Sequence, residues 1–434
     1  MIKPILGHEG RYYLVTIFYN LIFLIFSIFY LPILFLKGKW HKDFFTRLGF
    51  LPKNFYEQFQ GKKNIWVHAV SVGEVLAVAG MIQKIKQELP SYRIVLSTVT
   101  KTGHKIALTK IGDDVTLVYA PLDFSWATGR FVKAINPVLY VLAETEIWPN
   151  LFTSLANNKV PIIQINGRIS DKAFTWYKRV RFLLKPVLAH VNIFCMQSDE
   201  DADKIHALGV ARNMVKVVGN VKFDNAFEQK ACDMKKLGYA EDDFVFAAGS
   251  THPGEEKVLL ETLNVLREEF PFLRLLIAPR HIERTQEIEN IIREQGFNPK
   301  KFSQLQGNIN PDDVVVVDTI GHLRYLYKIA ALVFIGKSLT GRGGQNIIEP
   351  ASFGKAIIVG PNMQNFRHIS QLFLQDKALV QINGPQVLVS TIRDLINQPH
   401  QRTALGMAAK NVVEKNKGAT QRTFQIIQDK LFSK

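Results

Sequence analysis

Apolar positions along this chain gather into short β-branched runs separated by stretches with helical spacing. Runs at 65–70, 94–98, 115–120, 138–143, 162–166, 193–197 and 215–218 read as strands, and the segments between them read as helices. Strands that alternate with helices in this way form a parallel sheet joined by crossover helices. After a polar, charged interval around 222–243 the pattern restarts, with runs at 244–248, 273–278, 314–318, 332–335, 356–359 and 378–382. The prediction is an α/β protein of two Rossmann-like, doubly wound domains, an N-terminal one over 41–220 and a C-terminal one over 221–434, with a hinge near residue 220. The stretch 401–431 lacks strand signals, reads as helical and is placed to pack back across the domains.

One segment breaks the rhythm. Residues 12–36 are uncharged and strongly apolar, interrupted by a few weakly polar residues and Pro32. A helix of this length crosses roughly 30 Å of hydrocarbon, so 1–40 reads as a membrane anchor. The apolar region is too long for a cleaved signal peptide, and no small-residue cleavage pattern follows it. A helix lying in the interface, or buried in a core, is the alternative.

Charge supports the membrane. Lys37, Lys39, Lys42, Arg47, Lys53, Lys62 and Lys63 follow the apolar run against Asp43 and Glu57, whereas only Lys3 and Arg11 precede it. The positive-inside rule then puts the body of the chain in the cytoplasm. A net charge of +16 fits either a nucleic acid or an anionic membrane surface. Beside an apolar anchor, the membrane is the simpler partner. The basic, aromatic stretch 172–185 reads as another bilayer-facing helix, a contact for an acidic substrate, or a solvated helix face. The two cysteines, Cys195 and Cys232, lack metal-ligand spacing, which points away from zinc and from a disulfide framework.

Candidate chemistry sits where strands end. In Ile65-Trp-Val-His-Ala-Val-Ser-Val-Gly-Glu-Val75 a strand meets a tight turn and puts Glu74 at the start of a helix. A carboxylate there faces the crevice where α/β sheets bind ligands, or else it complements a helix dipole. Ala247-Ala-Gly-Ser-Thr-His-Pro-Gly-Glu-Glu256 opens the first helix of the second half, where Ser250, Thr251 and backbone N–H groups are candidates to receive a phosphate or to cap the helix. Arg280 ends the next strand on the same rim and suits a phosphate, a carboxylate or a surface ion pair. In Lys337-Ser-Leu-Thr-Gly-Arg-Gly-Gly-Gln-Asn-Ile-Ile-Glu-Pro350 the glycines permit a close-approaching loop, Asn346 is set to cap a helix, and Glu349 shares its face. A carboxylate at Glu349 with glycine amides nearby divides the labour a nucleotide-linked donor needs, ribose to one and phosphate to the other. A plain glycine turn with a capping box is the alternative.

Seven motifs in order resemble the Kdo transferases, the 3-deoxy-D-manno-octulosonic-acid transferases that move an acidic eight-carbon sugar from CMP-Kdo to the lipid A precursor. They are Trp66-Val-His-Ala-Val-Ser-Val-Gly-Glu74, Ser97-Thr-Val-Thr-Lys-Thr-Gly103, Glu144-Thr-Glu-Ile-Trp-Pro-Asn150, Asn166-Gly-Arg168, Gly219-Asn-Val-Lys-Phe-Asp224, Ala278-Pro-Arg-His281 and Gly343-Gly-Gln-Asn-Ile-Ile-Glu-Pro350. The resemblance implies a GT-B glycosyltransferase, with the acceptor in the N-terminal half and the nucleotide in the C-terminal half. It implies Glu74 as general base, with Glu144, Glu146 and Lys222 assisting the transition state. It implies a CMP site of Pro279, Arg280, Ile320, Gly321, His322, Gly343, Gly344, Asn346, Ile347, Ile348 and Glu349. Gln345 departs from the histidine of many relatives, which keeps hydrogen bonding but gives up a positive charge. The expected reaction is an inverting transfer in which CMP leaves as a phosphate monoester, so no metal cofactor is expected. A GT-B enzyme using a UDP-sugar on another lipid is the competing enzyme reading. A membrane-tethered nucleic-acid binder would explain the charge, but the chain lacks an RNA-recognition aromatic motif, and no nucleic-acid partner is expected.

Overall fold

The structure, a computed structural model, describes residues 19–21, 23–25, 27–29, 43–226, 234 and 237–433. In its first half the β-branched runs become β1 (Lys63–His68), β2 (Tyr92–Thr98), β3 (Thr116–Tyr119), β4 (Pro137–Ala143), β5 (Ile162–Gly167), β6 (Ile193–Met196) and β7 (Val215–Val217). They form one sheet in the order β3-β2-β1-β4-β5-β6-β7, every neighbouring pair parallel. Side chains alternate across it. Ile65, Val67, Leu139 and Val141 enter one core with Val75, Val78 and Ile82 of the helix Val72–Glu88, while Trp66, Tyr140 and Leu142 enter the other with Phe131, Phe152 and Phe194. Each such side chain removed from water contributes about 1.5–3 kcal/mol. Strand order reverses between β1 and β4; Glu74 stands in the first turn of the helix after β1, and Glu144 directly follows β4.

The second sheet repeats the plan. β8 (Phe244–Thr251), β9 (Leu273–Pro279), β10 (Asn298–Lys301), β11 (Asp313–Val316), β12 (Leu332–Ile335), β13 (Ala356–Val359) and β14 (Val380–Gln381) lie in the order β10-β11-β9-β8-β12-β13-β14, again all parallel. Order reverses here between β8 and β12. Of these strands β10 has no counterpart in the sequence reading. Its residues, Asn298-Pro-Lys-Lys301, are polar and alternate exposed with half-buried, because the strand sits at the sheet edge and pairs only with β11.

The chain divides into two units, one of Met1–Asn225 with Gly418–Lys434 and one of Ala226–Lys417. This moves the expected boundary from 220 to 225 and corrects the assignment of the whole tail to the second domain. The helical stretch expected at 401–431 is two helices, Pro399–Asn416 and Ala419–Phe432, and only the first belongs to the second unit. Phe424 and Ile427 of the last helix enter the core of the first unit beside Val75 and Val78. Asp224 fixes its start, accepting from the N–H groups of Gly418 and Thr420 at 2.6 Å each. Arg422 Nε donates to the Val218 carbonyl at 2.9 Å.

Most of the expected anchor lies outside the described residues. Those described between 19 and 29 are helical, and they touch the first unit: Tyr19 Oη donates to Asp123 at 2.9 Å, Asn150 Nδ2 donates to Asn20 Oδ1 at 2.8 Å, and Phe23 meets Phe124 edge-on. Among the described residues no helix is long and apolar enough to cross a membrane. Cys195 is buried among them, and Cys232 lies outside them.

Candidate active site

In the first unit, Glu74 stands in the first turn of the helix Val72–Glu88, after the turn that leaves β1. Its Oε2 accepts from the Val70 N–H at 2.7 Å and its Oε1 from the Ser71 hydroxyl at 2.9 Å. Glu74 therefore caps the start of its own helix. Glu74 is only 6% exposed, and burial pushes its pKa up to about 7 against the two hydrogen bonds, with the nearby Glu144 and Glu146 charges adding to the rise. Each carboxylate oxygen keeps a free lone pair, so the group can take a proton near neutral pH.

Across the switch point, Glu144 adopts the left-handed region at φ +53°. Asn166, Ser250 and Lys337, also at the carboxyl ends of strands or just beyond, do the same at +53°, +57° and +57°. Non-glycine residues held there cost about 1–3 kcal/mol each and mark sites where the surrounding structure dictates geometry. Arg168 Nε donates to Glu144 Oε2 at 3.3 Å. Thr145 Oγ1 takes hydrogen bonds from the Arg168 N–H and from Gln164 Nε2, both at 3.1 Å, which pins the Glu144-Thr-Glu146 loop to β5. The Glu146 pKa is raised by burial and then by Glu144. The Lys222 pKa is lowered by burial, with Glu144 opposing and Arg168 reinforcing that fall. Its backbone is held by Asn220 Oδ1, and Asn220 in turn donates to Gln197. Glu74, Glu144, Glu146 and Lys222 are thus linked electrostatically at one end of one sheet.

Beneath them lies a polar group that the sequence reading did not single out. Trp66 Nε1 donates to Ser97 Oγ at 2.7 Å, and His68 Nδ1 pairs with the same hydroxyl, also at 2.7 Å. Burial, with Arg47 assisting, holds the His68 pKa down near 3, so the ring is neutral. His68 Nε2, Tyr140 Oη and Trp148 Nε1 are all buried without a hydrogen-bond partner among the described residues, and their rings are neighbours. Asp123, fully buried, was likewise not anticipated. It accepts from the N–H groups of Asn150 and Leu151 and fixes the helix Pro149–Asn157 behind the Glu146 loop, with burial raising its pKa to about 6.

The second unit assembles its residues around the ends of β8, β9 and β12, with two corrections to the expected phosphate cradle. Glu255, not a ligand, fills the amides there: its carboxylate accepts from the N–H groups of His252, Lys337, Ser338 and Leu339 at 2.8–3.0 Å. The Thr251 hydroxyl donates to Glu256 Oε1 at 2.8 Å, and Arg284 closes on the same buried carboxylate at 2.7 Å. The second correction concerns Gly344, whose N–H donates to the Lys337 carbonyl at 2.8 Å instead of facing a ligand. Gly343 and Gly344 are required for another reason. Both have positive φ, and a Cβ would stand 2.5 Å from Asn365 Nδ2 or 2.4 Å from Met363 Sδ.

The remaining predicted residues occupy the same rim. Asn346 Oδ1 accepts from the Ile348 N–H and its Nδ2 donates to Glu349 Oε1, both at 3.1 Å, so the capping residue and the carboxylate form one half-buried polar pair. Burial raises the Glu349 pKa, opposed by Arg324, Asn346 and Arg280 in that order. Ile347 and Ile348 are buried apolar side chains, which leaves only their backbone to meet a ligand. Pro279 is buried and Arg280 exposed at the end of β9, with the Arg280 N–H on the Thr251 carbonyl at 3.1 Å. Ile320, Gly321 and His322 are exposed, and His322 Nδ1 pairs with the Thr319 hydroxyl at 2.9 Å. Gln345 Nε2 lies 3.2 Å from His252 Nε2. Burial lowers the His252 pKa, with Lys337 and His281 beside it adding to the fall and Glu256 opposing it.

Known proteins resemble this chain in sequence and in fold. A family profile described as 3-Deoxy-D-manno-octulosonic-acid transferase (kdotransferase) matches residues 42–225. A bifunctional glycosyltransferase/methyltransferase of Fusobacterium nucleatum is 33% identical over 385 residues, 84% of this chain, and the chain spans 59% of that protein's length. The 3-deoxy-D-manno-octulosonic acid transferase of Chlamydophila psittaci is 30% identical over 401 residues, covering 90% of each chain. Among solved structures, a glycosyltransferase from Rickettsia africae ESF-5 aligns with a TM-score of 0.57 over 86% of this chain and 100% of its own, at 12% identity, a likeness of fold alone. By its identity to such relatives the chain belongs to the 3-deoxy-D-manno-octulosonic acid (Kdo) transferase family, and it is a glycosyltransferase of GT-B fold.

Proposed function

We propose that the protein transfers Kdo from CMP-Kdo to a hydroxyl of the lipid A precursor, with inversion, and that Glu74 is the general base. The acceptor oxygen forms its bond to the anomeric carbon as the bond from that carbon to the CMP phosphate breaks. The hydroxyl proton passes to Glu74, and the electron pair leaves on the phosphate monoester. One observation carries this reading: a carboxylate at a strand-order reversal, 6% exposed, with a pKa of about 7, beside Glu144 and Glu146. A base with that affinity is half ionised at neutral pH, and such help contributes typically ~10²–10⁴-fold. Lys222 and Arg168 supply positive charge on the same rim. In the second unit, Arg280 serves the CMP phosphate and Glu349 the ribose hydroxyls, and Ile320, Gly321 and His322 complete the CMP site.

The same reading assigns the protein to the cytoplasmic face of the inner membrane. The apolar stretch 12–36, the +16 charge and the exposed Trp176 and Phe182 beside Lys172, Lys178, Arg179, Arg181 and Lys185 support it. The test is to incubate full-length protein with CMP-Kdo and tetraacylated lipid A precursor and to read product masses. Addition of one or more Kdo units is expected. Turnover of a UDP-sugar with none of CMP-Kdo would establish the competing donor.

A further inference from the structure

Arg324 lies in the first turn of the helix Leu323–Ile329, which leaves the loop after β11. Its Nε and Nη2 are both buried, and neither has a hydrogen-bond partner among the described residues. These two nitrogens form one side of the guanidinium and carry parallel N–H bonds, the edge that grips a carboxylate or phosphate side-on. A charged donor pair left buried and empty is costly, so a fork of this kind is built for an anion.

Its surroundings narrow the choice of anion. One turn along the helix, the Tyr327 hydroxyl occupies the place a Cβ on Gly249 would take, 1.9 Å from that ideal position. The helix face bearing Arg324 is therefore turned to the carboxyl end of β8. Glu349 stands within electrostatic reach of both Arg324 and Arg280, yet its Oε1 accepts from Asn346 Nδ2 at 3.1 Å and leaves the Arg324 fork open. The other permanent cations near this rim, Lys337 and Arg284, act on His252 on the β8, β9 and β12 side, and Arg284 is already paired with Glu256 and Glu287. On that side Arg280, exposed at the end of β9, is placed for a tetrahedral phosphate. A planar carboxylate matches a single planar fork arriving from the β11 side.

We propose that Arg324 recognises the carboxylate of the donor's sugar, leaving the phosphate to Arg280. This deepens, and rests on, the reading of CMP-Kdo as donor, whose two anions then have two separate guanidinium partners. Arg324 thereby selects an acidic sugar over a neutral one on the same nucleotide.

The experiment compares full-length wild type with Arg324→Lys and Arg324→Gln, measuring CMP binding by calorimetry and the KM for CMP-Kdo in the transfer assay. Both variants are expected to bind CMP within about twofold of wild type, while the KM for CMP-Kdo rises about 10- to 100-fold, the loss of a charge-assisted bidentate contact. Lysine restores charge without the fork and should recover only part of the loss. Equal weakening of CMP and CMP-Kdo would overturn the proposal in favour of a phosphate contact or a support for Glu349. Unchanged KM in both variants would overturn it outright. If Arg324→Gln does not fold, Arg324→Lys, which keeps a cation beside Glu349, decides alone. Wild-type protein that binds neither CMP nor CMP-Kdo would instead sink the donor assignment itself.

Discussion

Replacing Glu74 by glutamine should move activity and stability in opposite directions, and only at high pH. The Glu74 carboxyl titrates at about 7 in the folded protein against an ordinary 4.5. Across that interval the native state binds more protons than the unfolded chain, so stability declines as pH climbs through it, by at most about 3 kcal/mol above pH 7. Glutamine cannot ionise and escapes that loss. Its oxygen still accepts from the Val70 N–H, and its amide can donate to a rotated Ser71 hydroxyl, so both local contacts survive in weaker form at a cost of about 1 kcal/mol. The variant should therefore be about 2 kcal/mol more stable than wild type at pH 8 and about equal to it at pH 5. Transfer should meanwhile fall about 10²–10⁴-fold. Urea melts at the two pH values, with single-turnover transfer on the same preparations, measure both quantities. The wild-type rate should also rise through a single ionisation near pH 7 and then level off. Near-wild-type transfer in the variant would refute the general base, and a stability difference that does not change with pH would refute the perturbed carboxyl.

Three other perturbations test the frame around the site. Arg284→Ala strands the fully buried Glu256 with little more than the Thr251 hydroxyl and should destabilise by about 3–5 kcal/mol, read by urea unfolding; a loss under about 1 kcal/mol would contradict the buried ion pair. Gly344→Ala places a Cβ 2.4 Å from Met363 Sδ at φ +69° and should cost about 1–3 kcal/mol in a thermal or chemical melt, with Met363→Ala in the same chain relieving only the steric part. Arg280→Ala and Glu349→Ala should each raise the apparent donor KM, and Arg280→Ala should also lower kcat because its contact strengthens as CMP leaves; unchanged kinetics would remove that residue from the site.

Strands and the place of Glu74 were legible because both depend on neighbours close in sequence: β-branched runs for the sheets, and a Ser-Val-Gly turn before a helix for the carboxylate. The strand β10 was not, since an edge strand of Asn-Pro-Lys-Lys needs no apolar face and its only signal is its partner, β11. Contacts between distant residues explain the other differences. Glu255 meets amides 82 to 84 positions away, so a loop that reads as an open phosphate cradle is already filled from within. Gly344 reads as a ligand-facing amide until the Lys337 carbonyl is found to accept its N–H. Arg324 has no local mark at all: one arginine on a short helix becomes distinctive only through the two nitrogens that find no partner among the described residues.

The return of Ala419–Phe432 to the first unit sets the order in which this protein can be completed during synthesis. Cores built from contiguous chain can close as they leave the ribosome, N-terminal first. Here the core holding Val75 and Val78 lacks Phe424 and Ile427 until the roughly 190 residues between Asn225 and Gly418 have been made, about 10–40 s of elongation. Through that interval the helix bearing Glu74 presents an apolar flank with its lid not yet made, and Asp224 waits without the amides it will cap. A product cut at Asn225 would stay in that unfinished state, whereas the inserted unit, Ala226–Lys417, has all its strands in one continuous stretch and can close first, ahead of the half that precedes it.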